Sequence, residues 1–211
     1  MPTIRTTVNK GPENFVYLAS QSPRRAQLLT QLGLPFETLL PGDQEDAEAL
    51  EAVLPRESPK SYVQRVTQLK LEAACRRLKA RQLPLAPVLC ADTTVATGAL
   101  ILGKPADRAQ AQSMLEQLSG RSHRVLTAVA VAAAGRTALV LSQSQVTFAP
   151  MTKTQIRAYV ASGEPMGKAG AYAVQGLAGR YIREIRGSYT GIMGLPLYET
   201  AELLKSFGMR L

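Results

Sequence analysis

The sequence predicts a mixed α/β fold, in which helices cover a sheet of both parallel and antiparallel strands. In the first half of the chain, short apolar runs alternate with helical patterns, which is typical of parallel strands joined by helices. Residues 125–133 and 138–148 are two long β-like runs separated by four residues, the pattern of an antiparallel hairpin. Because this hairpin interrupts the alternation, we expect a mixed sheet rather than a purely parallel one.

Local rules define the first strand and helix. Residues 15–19 are an apolar run, and Ser22 and Pro23 then begin a helix, because Ser is a favoured N-cap and Pro has no N–H to lose at the first helical position. Gly33 is placed to end that helix. Apolar periodicity, capping and turn residues predict the remaining elements, which are strands at 35–40, 88–91, 125–133, 138–148 and 181–185, and helices that begin at Ser58, Asp107, Thr152 and Pro196.

The composition is that of a globular protein with a substantial core. The chain has 211 residues, 45% of them hydrophobic, and we expect one domain over residues 1–211, with residues 1–14 as a loose N-terminal extension. Its two cysteines show no zinc spacing, and no apolar run reaches the length of about 18 residues that a membrane span needs. We therefore expect a cytoplasmic protein without a membrane span. The net charge of +9 indicates an anionic partner, either nucleic acid or a small polyanion.

The segment from Ser20 to Arg25 is the most informative one. Arg24 and Arg25 lie in the first turn of the predicted helix, where cations oppose the helix dipole by about 0.3–1 kcal/mol each. Free helix amides, the hydroxyls of Ser20 and Ser22, and two guanidinium groups would together suit a phosphate. The segment is therefore either a phosphate-binding site or a solvated basic turn.

Two charged residues follow apolar runs further along the chain. Asp92 comes directly after the strand predicted at 88–91, and Lys104 lies between a glycine and a proline in a turn. Ligands of open α/β sheets usually lie beyond the carboxyl ends of strands, where Asp92 could bind a metal or take a proton from water. The alternatives are that Asp92 caps the following turn and that Lys104 is an ordinary surface residue.

Other motifs carry less information. The acidic stretch at 42–48 is either a solvated loop or part of a metal site, and the glycine-rich stretch at 167–176 is not a Walker sequence. His123, the only histidine, begins a β-like run, and we expect it to be structural. Cys75 and Cys90 lie in apolar patterns, so we expect buried thiols rather than nucleophiles.

The motifs taken in order resemble the Maf family of nucleotide pyrophosphatases from about residue 16 to residue 207. The residues that carry the resemblance are the Ser20–Arg25 segment with Leu28 and Leu29, Tyr62, Val63, Arg65 and Lys70, Ala91-Asp92-Thr93, Gly103-Lys104-Pro105, Leu118-Ser119-Gly120, Gly163-Glu164-Pro165, Lys168 to Tyr172 with Gln175-Gly176, and Gly194 to Leu197. The resemblance implies an elongated mixed sheet with flanking helices and two lobes around a cleft, related to the inosine triphosphate pyrophosphatases. It also implies a homodimer.

The resemblance further implies a reaction and residue roles. The reaction is hydrolysis of a nucleoside triphosphate to the monophosphate and pyrophosphate, with a divalent cation, Mg²⁺ or Mn²⁺. Asp92 corresponds to the proton acceptor that activates water, and Glu45 and Asp92 would hold the metal, although the long segment at 48–56 contains acidic residues that could take the role of Glu45. The substrate-binding positions are Ser20, Ser22, Arg24, Arg25, Lys70, Lys104 and Lys168. Fixed cations and a metal suit the negative charge that develops in such a reaction.

Three positions favour a pyrimidine nucleotide. The Maf group that resembles this chain prefers dTTP and UTP and carries Arg, Thr and Gln where the group that prefers 7-methyl-GTP carries Trp, Gln and Glu. This chain has Arg24, Thr93 and Gln175 at those positions. A Gln amide can both donate to and accept from uracil or thymine, whereas a Glu carboxylate has nothing to donate to a carbonyl.

We therefore expect an enzyme that acts on dTTP and UTP. The alternatives are the same reaction on another nucleotide, such as 7-methyl-GTP, and a regulatory nucleotide-binding protein of cell division. An aromatic content of 5% without tryptophan offers no stacking platform for single strands, so nucleic acid is not the expected partner.

Overall fold

The computed structural model describes residues 14–42, 45 and 49–211. The strands are β1 (Val16–Leu18), β2 (Phe36–Thr38), β3 (Val88–Thr97), β4 (Leu100–Leu102), β5 (Ser122–Ala133), β6 (Arg136–Phe148) and β7 (Ile182–Arg186). The α-helices are α1 (Pro23–Gln31), α2 (Pro59–Ala80), α3 (Arg108–Leu118), α4 (Lys153–Ala161), α5 (Tyr189–Met193) and α6 (Leu197–Ser206), and short 3₁₀ helices span Ala49–Glu51, Ala169–Ala171 and Leu177–Tyr181.

Parts of two predicted segments lie outside the described residues. They are residues 1–13 of the predicted N-terminal extension, and residues 43–44 and 46–48 of the acidic stretch. Asn14, the last residue of that extension, is hydrogen-bonded to the C-terminal segment. Its side chain donates a 2.8 Å hydrogen bond to the carbonyl of Arg210 and accepts one of 3.3 Å from the Arg210 amide.

The sheet is mixed, as the sequence predicts. Its order is β2-β1-β3-β5-β6-β7, with β4 paired to β3. β1 runs parallel to β2 and β3, whereas all other pairs are antiparallel. The predicted hairpin joins β5 and β6 through a turn tighter than expected, since Ala133 already pairs with Arg136. Ala134 and Gly135 both have positive φ, 49° and 77°, as type I′ hairpin turns require.

The prediction that the strand beginning at Val88 ends at Ala91 is wrong. The strand continues through Asp92 to Thr97 and pairs with β5 along this length. Asp92 suggested a strand end because carboxylates are rare inside strands, but the β-branched and apolar residues after it suit a strand well. The parallel neighbour of β3, strand β1, does end near this point, because its last pair with β3 is Leu18 with Leu89. Asp92 therefore lies inside β3 but just beyond the end of β1.

The predicted helix caps are present. The Ser22 hydroxyl accepts from the Arg25 amide at the start of α1, and Ser58 and Asp107 cap α2 and α3 in the same way. Thr152 and Gln155 form the reciprocal capping box of α4. These side chains satisfy amides that have no partner inside the helix.

Helices divide the core around a cleft. α1 and α6 pack with β1 in one buried cluster, α2 packs on the opposite side of β1 and β3, and α3 and α4 form another cluster with the far end of β3 and with β6. The cleft is lined from the α1 end by Arg25 and Gly194 and from the α3 and α4 end by Tyr172 and Val174. This is the two-lobed arrangement that the resemblance implies. Within the described part of the chain, no helix is long and apolar enough to cross a membrane.

Candidate active site

One cavity of about 540 Å³ brings the predicted site residues together. The cavity opens beyond the end of β1, where one edge of β3 no longer has a neighbouring strand. Its lining includes every residue that the sequence analysis assigned to substrate, metal or specificity, namely Ser20, Ser22, Arg24, Arg25, Glu45, Lys70, Asp92, Thr93, Lys104, Lys168 and Gln175. Their individual roles stay predictions, but they share one location.

Asp92 is the buried carboxylate of this cavity. It is 7% exposed, and its Oδ1 accepts a 2.6 Å hydrogen bond from Nζ of Lys70 in α2. Burial alone would lower the pKa of Lys70, but the carboxylates of Asp92 and Glu51 outweigh burial and raise it. Lys70 is therefore a charged ammonium group. Among the described residues, none donates a hydrogen bond to Asp92 Oδ2.

Glu51 also lines the cavity, although no motif in the sequence marks it individually. Its Oε1 accepts a 2.7 Å hydrogen bond from Lys70, and its carboxylate accepts two longer ones from Lys104, at 3.2 and 3.3 Å. Burial raises the pKa of Glu51, but the two lysines outweigh burial and lower it. The only signal in the sequence was that acidic residues at 48–56 could compete with Glu45, and both Glu48 and Glu51 fit that description.

Glu45 lines the same cavity but is held by a guanidinium group. Arg77 of α2 donates from Nε to Glu45 Oε1 at 2.8 Å and from Nη2 to Oε2 at 2.6 Å. This two-pronged contact is the main reason that the pKa of Glu45 falls to about 2. Glu45 as a metal ligand stays a prediction, and a metal there would share the carboxylate with Arg77.

The start of α1 places its two arginines differently. Arg25 points inward and donates to the carbonyl of Gly194 at 2.9 Å, to Thr93 Oγ1 at 3.2 Å and to Ser20 Oγ at 3.3 Å. Burial lowers the pKa of Arg25 despite the opposing effect of the Asp92 carboxylate. Arg25 thus connects α1, β3 and the turn after α5.

Arg24 faces the cavity and Lys168 across it. No group within the described ranges hydrogen-bonds to the Arg24 guanidinium. The Lys168 ammonium group donates to the carbonyls of Glu164 and Met166, at 2.5 and 3.4 Å. Burial first, and the charge of Arg24 second, lower the pKa of Lys168. Two cations that repel each other across a cavity indicate a site that an anion would stabilise.

The remaining specificity residues differ in exposure. Thr93 lies on the face of β3 opposite Asp92, and its hydroxyl contacts Arg25 and, at 3.0 Å, the hydroxyl of Thr127. Any effect of Thr93 on substrate choice would therefore act partly through Arg25. Gln175 is exposed at the cavity wall, and no hydrogen bond joins its side-chain amide to the described residues.

His123 and the two cysteines do not line the cavity. His123 is buried in β5, where its Nε2 lies 2.9 Å from the hydroxyl of Tyr172, and burial lowers its pKa to about 4. Burial also raises the pKa of Cys90 to about 12 and raises that of Cys75. Neither thiol has the lowered pKa of a nucleophile.

Comparison with known proteins agrees with the motif order. The sequence model of the family described as Maf-like protein matches residues 15–207. Proteins named dTTP/UTP pyrophosphatase from Albidiferax ferrireducens and Polaromonas sp. are 63% and 65% identical, covering 93% and 94% of this chain and 98% of their own length. One from Cupriavidus pinatubonensis is 58% identical, with 93% of this chain and 98% of that protein covered.

Among solved structures, the Staphylococcus aureus Ham1 protein superposes with a TM-score of 0.46 at 13% identity, over 92% of this chain and 97% of that one. The family match spans most of the chain, and relatives of about 60% identity align over nearly their whole length. This chain belongs to the Maf-like protein family.

Proposed function

We propose that this protein hydrolyses dTTP and UTP to the monophosphate and pyrophosphate. The observation that carries the proposal is the cavity itself, in which a buried carboxylate, Asp92, shares the lining with seven cationic residues from α1, α2 and two loops of the described chain. A triphosphate is a small polyanion that such a cavity would bind, and the net charge of +9 would favour its approach. The substrate named for relatives of 58–65% identity is the same.

The cations would hold the triphosphate from several sides. The Arg24 guanidinium donates no hydrogen bond to the described residues and faces Lys168, so an anion placed between them would relieve their repulsion. Lys104 is half exposed in its turn, and Glu51 is the one described residue that its ammonium group contacts, so it can exchange that carboxylate for a phosphate. The base would then lie toward the loop that contains Gln175.

Asp92 would act as the proton acceptor. Water attacks the α-phosphorus, its proton passes to Asp92, the bond from the α-phosphorus to the bridging oxygen breaks, and that oxygen leaves with pyrophosphate. Lys70 holds Oδ1 and thereby orients the carboxylate, so that Oδ2 is available to the water. The negative charge that develops on the phosphoryl oxygens meets cations that are already in place.

We also propose a divalent cation, Mg²⁺ or Mn²⁺, held by Asp92. Asp92 and Glu51 both accept hydrogen bonds from the Lys70 ammonium group, so their carboxylates lie close together, and the oxygen lone pairs that Lys70 does not use could bind a hard cation beside it. In the part of the chain that the structure describes, no group of three or more His, Cys, Asp or Glu residues could hold a metal alone. Substrate oxygens would therefore complete the coordination, and the bound cation would neutralise phosphate charge.

A nucleotide panel tests the proposal. Purified protein is incubated with Mg²⁺ or Mn²⁺ and dTTP, UTP, dCTP, dGTP, ATP or 7-methyl-GTP, and pyrophosphate release is measured for wild type and Asp92→Asn. We expect preferential release from dTTP and UTP, and a loss of about 10²-fold or more in the variant. Preference for another nucleotide, or full activity of Asp92→Asn, would contradict the proposal.

We propose in addition that the protein is a cytoplasmic homodimer, as the family resemblance implies. Light scattering on the purified protein gives its mass in solution, and fractionation of cells gives its location. A monomeric mass across the working concentration range would contradict the dimer.

A further inference from the structure

We propose that Tyr159 and Glu164 are positioning residues that hold the base-recognition loop, residues 173–178, in the conformation that selects the nucleobase. The inference rests on the proposed function, because it concerns the loop that presents Gln175. It adds two residues that do not line the cavity and lie outside the predicted site.

Tyr159 holds the beginning of the loop. It is a fully buried residue of α4, and its hydroxyl accepts a 3.3 Å hydrogen bond from the amide of Ala173. The same hydroxyl donates a 2.8 Å hydrogen bond to Oε1 of Glu164. One phenol group thus connects the first residue of the loop to the carboxylate that holds its last residues.

Glu164 holds the end of the loop. Its Oε2 accepts a 2.9 Å hydrogen bond from the amide of Leu177, and its Oε1 accepts one of 3.3 Å from the amide of Ala178. A carboxylate that accepts from backbone amides binds them more strongly than a neutral oxygen would. Although burial opposes ionisation, these amides, the Tyr159 hydroxyl and the charge of Lys168 keep the pKa of Glu164 below its ordinary value.

Gly176 shows how closely the loop packs on this carboxylate. A Cβ added to Gly176 would lie 2.4 Å from Oε2 of Glu164, closer than real contacts allow. Its φ of −109° is available to any residue, so a close approach is the reason for glycine here. The loop therefore has both ends and its underside fixed, while Gln175 at its centre faces the cavity without a protein partner among the described residues.

This arrangement separates base recognition from phosphate chemistry. Gln175 can discriminate among bases only if its amide has a defined position, since a displacement of about 1 Å is enough to spoil a directed hydrogen bond. The carboxylate of Glu164 and the hydroxyl of Tyr159 contact the loop, whereas Asp92 and Lys70 are held by β3 and α2. Loosening the loop should therefore change which base is preferred more than it changes the rate of the chemical step.

Two variants test the inference with a matched control. Tyr159→Phe removes only the hydroxyl, and Glu164→Gln replaces one accepting oxygen by an NH₂ group. Tyr181→Phe is the control, because Tyr181 packs edge-on against Tyr159, with ring centroids 6.3 Å apart, but its hydroxyl contributes no hydrogen bond to the loop. Pyrophosphate release is measured with dTTP and dCTP for each protein, after thermal unfolding has shown that each is folded at the assay temperature.

We expect both loop variants to raise KM for dTTP and to reduce the dTTP-to-dCTP ratio of kcat/KM about tenfold, with kcat for dTTP changed less than threefold. Tyr181→Phe should keep the wild-type ratio. In a Gln175→Ala background, Tyr159→Phe should reduce the ratio no further, because the residue through which it acts is already absent.

Two results would overturn the inference. One is an unchanged dTTP-to-dCTP ratio in folded Tyr159→Phe and Glu164→Gln, and the other is an equal fall of kcat for all nucleotides, which is what general loss of structure produces. These differ from failure of the proposed function, in which wild type itself would release no pyrophosphate from dTTP or UTP.

Discussion

Lys70 allows the sharpest test of how the site is built. Its ammonium group joins Asp92 and Glu51 at 2.6 and 2.7 Å, and the three side chains are 19%, 10% and 27% exposed. Lys70→Met keeps most of the apolar stem but leaves two carboxylates facing each other without the cation. Removing one partner of a buried ion pair costs about 3–5 kcal/mol, and partial exposure places this case near the lower end.

A loss of about 3 kcal/mol corresponds to a fall in Tm of about 6–12 °C for a chain of this length. Activity should fall with it, by about 10²–10³-fold in kcat/KM, because one fixed cation and the orientation of Asp92 are both lost. Thermal unfolding at pH 8 and pyrophosphate release measure the two effects. The control is Lys205→Met, which removes an exposed pair with Glu202 at 2.9 Å and should cost at most about 0.5 kcal/mol.

The pH dependence of the Tm difference between wild type and Lys70→Met distinguishes loss of the ion cluster from simple loss of packing. In wild type, the pKa of Lys70 is raised, so its contribution to the free energy of unfolding is lost only as pH rises above about 10.4. The pKa of Glu51 is lowered, so its contribution is lost only as pH falls below about 4.3. The wild-type cluster is therefore intact at both pH 8 and pH 5. In Lys70→Met the facing carboxylates take up protons more readily, so the Tm difference from wild type should narrow at pH 5. The reasoning would be refuted if Lys70→Met lowered Tm at pH 8 no more than Lys205→Met does, or if its Tm difference from wild type did not narrow at pH 5.

Three further predictions concern other parts of the cavity and the core. Gln175→Glu should lower kcat/KM for dTTP and UTP about tenfold or more, because a carboxylate cannot donate to a base carbonyl, and unchanged kinetics for both would remove Gln175 from base recognition. Glu51→Gln should tighten inhibition by metal-free pyrophosphate several-fold, since it frees Lys104 from a competing carboxylate while Lys70 stays bound to Asp92, and an unchanged Ki would show that no such competition exists. His123 has a folded pKa of about 4, below its unfolded value, so its contribution to stability should be lost as pH falls from about 6.5 toward 4; a His123→Gln variant whose Tm falls as steeply as wild type in that window would contradict this.

Much of the fold follows from rules that act over a few residues. Ser22, Asp107 and Thr152 cap helices as predicted because a capping side chain bonds an amide two or three positions away. The hairpin also forms as predicted, since its turn and its apolar runs are adjacent in sequence. Asp92 shows the limit of such rules, because a local pattern could not reveal that β5 would pair with β3 beyond it.

The order of motifs identified the family, and with it the residues that line the cavity. Which of these side chains hold one another was decided by contacts between distant segments. Glu51 reaches Lys70 across 19 positions and Arg77 captures Glu45 across 32, and neither contact has a periodic or capping signal in the sequence. The same holds for Glu164, whose carboxylate contacts amides 13 and 14 residues away.

The first turn of α1 shows what local sequence rules determine and what contacts between distant segments determine. The sequence by itself determined that Arg24 and Arg25 begin a helix with two cations in excess, because capping and the helix dipole are local properties. Only the tertiary structure decided that they differ, since Arg25 finds its partners 68 and 169 residues away and becomes part of the framework, while Arg24 is left facing the cavity. Packing between distant segments determines which charges are compensated within the protein and which remain available to a ligand.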